Sequence, residues 1–151
     1  MAVYLYNDPN DCDYDYKKIK KWFEISASFG DVEGNYHYGR MLYDEGKYER
    51  AYKFILYAAE RNEKRALALL GDYFKLKDDY NNASKYYKQA ITCNNFNAAY
   101  QLAIMYLEIK TDDPKEKTLY RNMADEYLEK YYNLFSDEIK DKAKPLLGKK
   151  F

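Results

Sequence analysis

Apolar and small residues recur along this chain at helical spacing. Tyr38, Gly39 and Leu42 form an i, i+1, i+4 stripe that returns as Leu70, Gly71, Phe74 and again as Leu102, Ala103, Tyr106. A second stripe runs Ala51, Phe54, Ile55, Ala58 and returns as Ala83, Tyr86, Tyr87, Ala90. Such spacing gathers the apolar positions on one face of an α-helix and leaves the charged positions on the other. The short polar pairs Gly46-Lys47 and Asp78-Asp79 lie between the two kinds of stripe. They suit the tight connection of an αα-hairpin.

The stripes share one register. A shift of 32 residues, without gaps, carries Gly39 onto Gly71 and then Ala103. The same shift carries Ala51 onto Ala83, Ala58 onto Ala90, Ala66 onto Ala98, and Asn62 onto Asn94. Backwards, Gly30 meets Asn62, Ala27 meets Ala59, and Trp22 meets Phe54 and Tyr86. The glycine matches weigh most, because the chain has only six. Gly30, Asn62 and Asn94 are expected to end helices, since Gly and Asn tolerate the left-handed backbone of a helix C-terminus. Asp113-Pro114 reads as an N-cap followed by proline in the first helical position. Gly39 and Gly71 cost about 1 kcal/mol each in a helix interior relative to Ala. They are expected to mark a close approach of two helices, with Phe54 or Tyr86 filling the space they leave.

The runs Tyr38-Gly39-Arg40-Met41-Leu42 and Leu70-Gly71-Asp72-Tyr73-Phe74 resemble the Leu-Gly-x-x-Tyr core of tetratricopeptide and Sel1-like repeats. Gly46-Lys47-Tyr48-Glu49-Arg50-Ala51 and Asp79-Tyr80-Asn81-Asn82-Ala83 resemble the tetratricopeptide turn into its second helix. Ala58-Ala59-Glu60-Arg61-Asn62 and Ser26-Ala27-Ser28-Phe29-Gly30-Asp31 are more similar to the Sel1 repeat ending. The likeness covers about residues 16 to 132, and the period of 32 is shorter than the standard 34. It implies an all-α, right-handed solenoid of antiparallel helix pairs with about seven to eight helices.

The whole chain, 1–151, is expected to be one helical-repeat domain. It divides into an N-terminal cap (1–14), a lone second helix (15–30), repeats at 31–62 and 63–94, an atypical last repeat (95–134), and a C-terminal helix and tail (136–151). Register fails after Leu107, where two extra residues enter around Thr111-Asp112-Asp113-Pro114. A terminal repeat that closes a stack is commonly atypical.

Composition narrows the function classes. Lys plus Arg and Asp plus Glu balance at 25 each, which removes the global basic field of a phosphate-gripping chain. Leu, Ile, Val and Phe together make about 20% of the residues, near the range of disordered chains, but 20 tyrosines supply apolar bodies instead. No run of 18 apolar residues and no basic, apolar leader is present, so an intracellular, cytoplasmic location is expected. Cys12 and Cys93 have no CxxC partner, and His37 is the only histidine. Asp11-Cys12-Asp13-Tyr14-Asp15 imitates a calcium-loop opening, but the required Gly and Glu are replaced by Tyr16 and Trp22. With no phosphate-cradling loop or nucleophile elbow, the chain is read as non-enzymatic and free of cofactors and metals.

The resemblance implies that first helices line a concave groove that takes a peptide or helix of a partner protein. Candidate groove residues are Tyr36, Arg40 and Tyr43, then Asp72 and Lys75, then Tyr100 and Ile104. Relatives that clamp a peptide carboxylate do so with Lys, Asn and Arg. The matching positions here are Tyr36, Arg40, Leu69, Asn97 and Gln101, of which only Arg40 is basic. Tyr and Arg suit a binding surface because they combine contact area with polar ends. Two alternatives stay open: single-stranded RNA stacked on tyrosines, and a subunit of a larger helical assembly. A homo-oligomer is possible but not indicated, and no membrane partner is expected.

Overall fold

A computed structural model describes residues 12–148, and every regular element among them is helical. In chain order these are α1 (Cys12–Ser28), α2 (Val32–Asp44), α3 (Tyr48–Glu60), α4 (Lys64–Leu76), α5 (Tyr80–Thr92), α6 (Asn97–Glu108), α7 (Pro114–Tyr131) and α8 (Asp137–Ala143). A 3-10 turn, Tyr132–Leu134, extends α7. The lone second helix expected at 15–30 is α1, which already begins at Cys12. The cap expected over 1–14 lies, up to residue 11, outside the described residues.

The helix ends follow a strict rhythm. Gly30, Gly46, Asn62, Asp78 and Asn94 all have positive φ, between 56° and 78°, and they fall at intervals of 16 residues. Each is the C′ residue of a Schellman motif. At Gly30 the two closing bonds are Asp31 N to Ser26 O (3.3 Å) and Gly30 N to Ala27 O (3.0 Å). At Asn62 they are Glu63 N to Ala58 O and Asn62 N to Ala59 O, and at Asn94 they are Asn95 N to Ala90 O and Asn94 N to Ile91 O. Gly46 and Asp78 close α2 and α4 in the same way. The next position in the rhythm is Lys110, which does not favour the left-handed region. There α6 ends instead in an extended Ile109 (φ −62°, ψ 119°), and the two extra residues follow.

Helix starts are capped by acidic side chains. Asp31 accepts from Gly34 N at 2.8 Å and Glu63 from Ala66 N at 2.8 Å. Asp79 accepts from Asn82 N at 3.2 Å, and Asp113, ahead of Pro114, from Lys115 N at 2.9 Å. Such caps contribute about 1 kcal/mol each.

The described residues form two compact units, one up to Ala66 and one from Leu67 onward. In the first, α2 packs against α3 and α1 against α2. A Cβ on Gly39 would lie 2.8 Å from Ile55 Cγ1 and 3.2 Å from Phe54 Cβ, and one on Gly34 would lie 2.5 Å from Ser26 Oγ. Ile55, Ala51 and Ala58 are fully buried. Lys20 on α1 also holds Glu45 in the α2–α3 turn through both carboxylate oxygens, at 2.7 and 2.6 Å. The hydrogen bond from Lys20 keeps the Glu45 carboxyl below its ordinary pKa.

In the second unit a Cβ on Gly71 would lie 2.6 Å from the Tyr87 ring. Tyr87 is fully buried, and its hydroxyl donates to Asp72. The space left by the glycines is therefore filled chiefly by Ile55 and Tyr87, one residue beyond the expected Phe54 and Tyr86. Phe54 and Tyr86 sit at the edge of the same contacts, on Tyr38 (4.7 Å between centroids) and Phe74 (5.4 Å). Leu102, Ala103, Met105, Ala124 and Leu128 bury the α6–α7 contact, and Ser136 N donates to Asn97 Oδ1 at 3.1 Å. Among the described residues no buried side-chain polar atom lacks a hydrogen bond, and no helix is long and apolar enough to cross a membrane.

Candidate functional site

The seven groove candidates sit on first helices of the pairs, α2, α4 and α6, and each unit holds its own set. In the first unit the stripe of α2 turns Tyr38, Gly39 and Leu42 inward, so Arg40 and Tyr43 project from the other side. Arg40 is exposed and pairs with Asp44 one turn later (3.2 Å). Tyr43 is half-buried with its ring edge-on to Tyr48 (5.0 Å).

Tyr36 behaves differently, since it is only 8% exposed. The Arg65 guanidinium lies 4.4 Å above its ring. Arg65 is itself held by Glu63 (2.8 Å) and by Glu33 (2.9 Å). Burial pushes the Tyr36 phenol above its ordinary pKa, against the opposing pull of Arg40 and Arg65. Burial works to lower the pKa of Arg65, but its hydrogen bond to Glu63 and the charges of Glu63 and Glu33 outweigh that and raise it. His37 completes the cluster, stacked on Phe23 (4.6 Å), edge-on to Tyr36 (5.0 Å), and 3.5 Å from Glu33. A guanidinium over a ring stabilises by about 0.5–1 kcal/mol at exposed sites and more when desolvated. Tyr36 is thus a packing residue whose outer face is covered by Arg65.

In the second unit Asp72 is half-buried and accepts the hydroxyl of Tyr87. Lys75 pairs with Glu108 at 2.6 Å. Tyr100 is half-buried, with Phe135 edge-on at 6.4 Å, and Ile104 is half-buried. Asp72 thus serves the α4–α5 contact and Lys75 ties α4 to α6. Tyr100 and Ile104 keep part of their apolar surface accessible. Tyr38, Tyr87 and Tyr106 lie in the packed interior, as the periodicity predicts for them.

The broken register also opens a cleft that sequence reasoning did not anticipate. It has a volume of about 490 Å³ and runs from the C-terminal end of α6 to the first turns of α7. Tyr106 and Tyr120, stacked at 6.2 Å, form part of its wall beside Lys110, Lys117 and Arg121. The irregular connection that replaces the missing left-handed turn makes the space, so only the failure of the repeat could have signalled it. Among the described residues no cluster of His, Cys, Asp and Glu is placed to hold a metal ion. The side chains of residues 11–14 in the Asp11–Asp15 run lie outside that description.

No family model matches the sequence, and no curated protein matches it. Among solved structures, it is similar to a protective antigen present in uropathogenic Escherichia coli strains whose crystal structure displays an SLR (Sel1-like repeat) fold. The superposition has a TM-score of 0.56 at 19% identity and covers 84% of this chain. The chain spans 32% of that protein's length. At this identity the likeness carries the fold: an all-helical, Sel1-like helical-repeat architecture, as the 32-residue register predicts.

Proposed function

We propose that this chain, built on a Sel1-like helical-repeat fold, is a non-catalytic interaction module that binds a peptide or helical segment of another protein. Such folds typically serve protein interaction, and the reading of a single repeat domain over 1–151 belongs to the same proposal. The observation that carries it is the division of labour on the first helices. Their small and apolar stripe is consumed by packing within each helix pair, whereas Arg40, Tyr43, Tyr100 and Ile104 retain accessible surface. Tyr and Arg are among the residue types enriched where binding energy concentrates at protein interfaces. Tyr36, Asp72 and Lys75, the other candidates, are engaged by Arg65, Tyr87 and Glu108.

The triple variant Arg40→Ala/Tyr43→Ala/Tyr100→Ala tests this reading. None of the three is a core residue, so helix content by circular dichroism stays at the wild-type level. Partner affinity in a titration falls about tenfold or more, the consequence of removing even one interface hot spot. Unchanged affinity in the folded triple variant refutes these positions as the binding surface.

A further inference from the structure

The cleft at the broken register carries positive charge that the fold itself does not neutralise. Lys110, Lys117 and Arg121 line it, are exposed, and form no ion pair among the described residues. Two acidic residues share the lining. Glu108 is held by Lys75 at 2.6 Å, which leaves Asp112 against three cations. The walls are fixed by hydrogen bonds. The Tyr106 hydroxyl lies 3.1 Å from Ser84 Oγ. Thr111 Oγ1 donates to Glu116 at 2.6 Å and accepts from Asp113 N at 3.2 Å.

A row of rings leads away from the cleft. Tyr120, Tyr106, Tyr127, Tyr131 and Phe96 follow one another along α6 and α7, with successive centroids 6.0–6.4 Å apart. All but Tyr106 are half-buried, so the row keeps an accessible margin. Successive ring planes differ by only 12–31°, and the Lys130 ammonium lies 5.2 Å from the Tyr131 centroid. The ring faces that a nucleobase would stack on are thus already engaged. Ring edges remain, and an edge carries the positive part of the aromatic quadrupole. At Tyr106 and Tyr120 those edges stand beside the unpaired cations, an environment that suits a carboxylate. Farther along, burial, then Tyr106 and Glu126, hold the Tyr127 phenol above its ordinary pKa. With Glu126 there, acidic charge is favoured in the cleft and apolar surface along the row.

We propose that this cleft and ring row dock an acidic, apolar-flanked linear segment of a partner protein. Its carboxylates lie among Lys110, Lys117 and Arg121, and its apolar side chains lie on the rings. The proposal rests on the reading of the chain as an interaction module, but it adds a second surface, lined by none of the seven groove candidates.

Fluorescence anisotropy on the full chain, with a labelled peptide of interspersed Glu, Leu and Phe, tests it. Binding is expected to weaken severalfold in Lys117→Glu/Arg121→Glu. It is also expected to weaken severalfold when the acids of the probe become Gln or its apolar residues become Ser. The groove variant Arg40→Ala/Tyr43→Ala/Tyr100→Ala is expected to bind the probe as the wild type does, so failure of the groove leaves this result standing. No binding by the unsubstituted chain at low salt, where charge attraction is least screened, overturns the proposal. Undiminished binding by the cleft variant overturns it as well. So does displacement of the probe by polyuridine at lower concentration than by unlabelled peptide, which would make RNA the occupant. Should the charge-reversed variant lose helix content, amide shifts of the unsubstituted chain decide. Shifts on adding the probe that cluster at Lys110, Lys117 and Arg121 support the proposal, and shifts confined elsewhere overturn it.

Discussion

Gly71→Ala is expected to destabilise the chain by about 1–3 kcal/mol, the usual cost of forcing an extra carbon into a packed contact. Helix propensity predicts the opposite, since alanine is the better helix former by about 1 kcal/mol. Geometry decides between them. The new Cβ would stand 2.6 Å from two carbons of the Tyr87 ring and 3.0 Å from a third. Tyr87 cannot swing away, because its ring is fully buried and its hydroxyl is engaged by Asp72. Gly71→Leu adds three more carbons to the same contact and is expected to unfold the chain outright. Gly46→Ala is the control. Nothing lies within 4 Å of its would-be Cβ, so only the left-handed backbone (φ 78°) opposes it, at about 1–2 kcal/mol. Urea unfolding followed by circular dichroism compares the three, and a neutral Gly71→Ala would remove the close helix approach from this account.

Tyr87→Ala is expected to cost more, about 3–5 kcal/mol, as for other large aromatic-to-alanine truncations in a core. The ring is the piece that fills the space beside Gly71. Tyr87→Phe separates the ring from its polar tip. It keeps the ring's packing and removes the hydroxyl that donates to the Asp72 carboxylate, a loss of about 1.5–3 kcal/mol. Thermal unfolding should therefore order the proteins as wild type, then Tyr87→Phe, then Tyr87→Ala. Equal loss in both variants would mean that the hydroxyl, and not the ring, holds the α4–α5 contact.

The parts of the fold that were legible beforehand are those where backbone geometry restricts the residue type. Gly30, Asn62 and Asn94 announce themselves because few residues accept positive φ, and Gly39 and Gly71 because little else fits against Ile55 and Tyr87. The half-period of 16 was harder to see. Its intermediate positions are Gly46, Asp78 and Lys110, three chemically different residues, and only the first two adopt the turn. Phe54-Ile55 and Tyr86-Tyr87 are adjacent apolar pairs, so a helical period cannot tell which member enters the contact. The candidate surface was legible only in outline. A tyrosine has an apolar body and a polar end, so its place in the pattern does not separate Tyr36, roofed by Arg65 from 29 positions away, from the accessible Tyr43 and Tyr100.

The interaction proposal meets its most direct test in site-specific photocrosslinking from the intact chain in its own cells. A photoreactive phenylalanine derivative is placed at Tyr43 or Tyr100, on first helices, and in parallel at Lys53 or Lys85, exposed on α3 and α5. Positions 43 and 100 are expected to give the same discrete protein adducts, resistant to ribonuclease, and positions 53 and 85 to give none of them. Adducts confined to 53 and 85, or ribonuclease-sensitive adducts from 43 and 100, would contradict it.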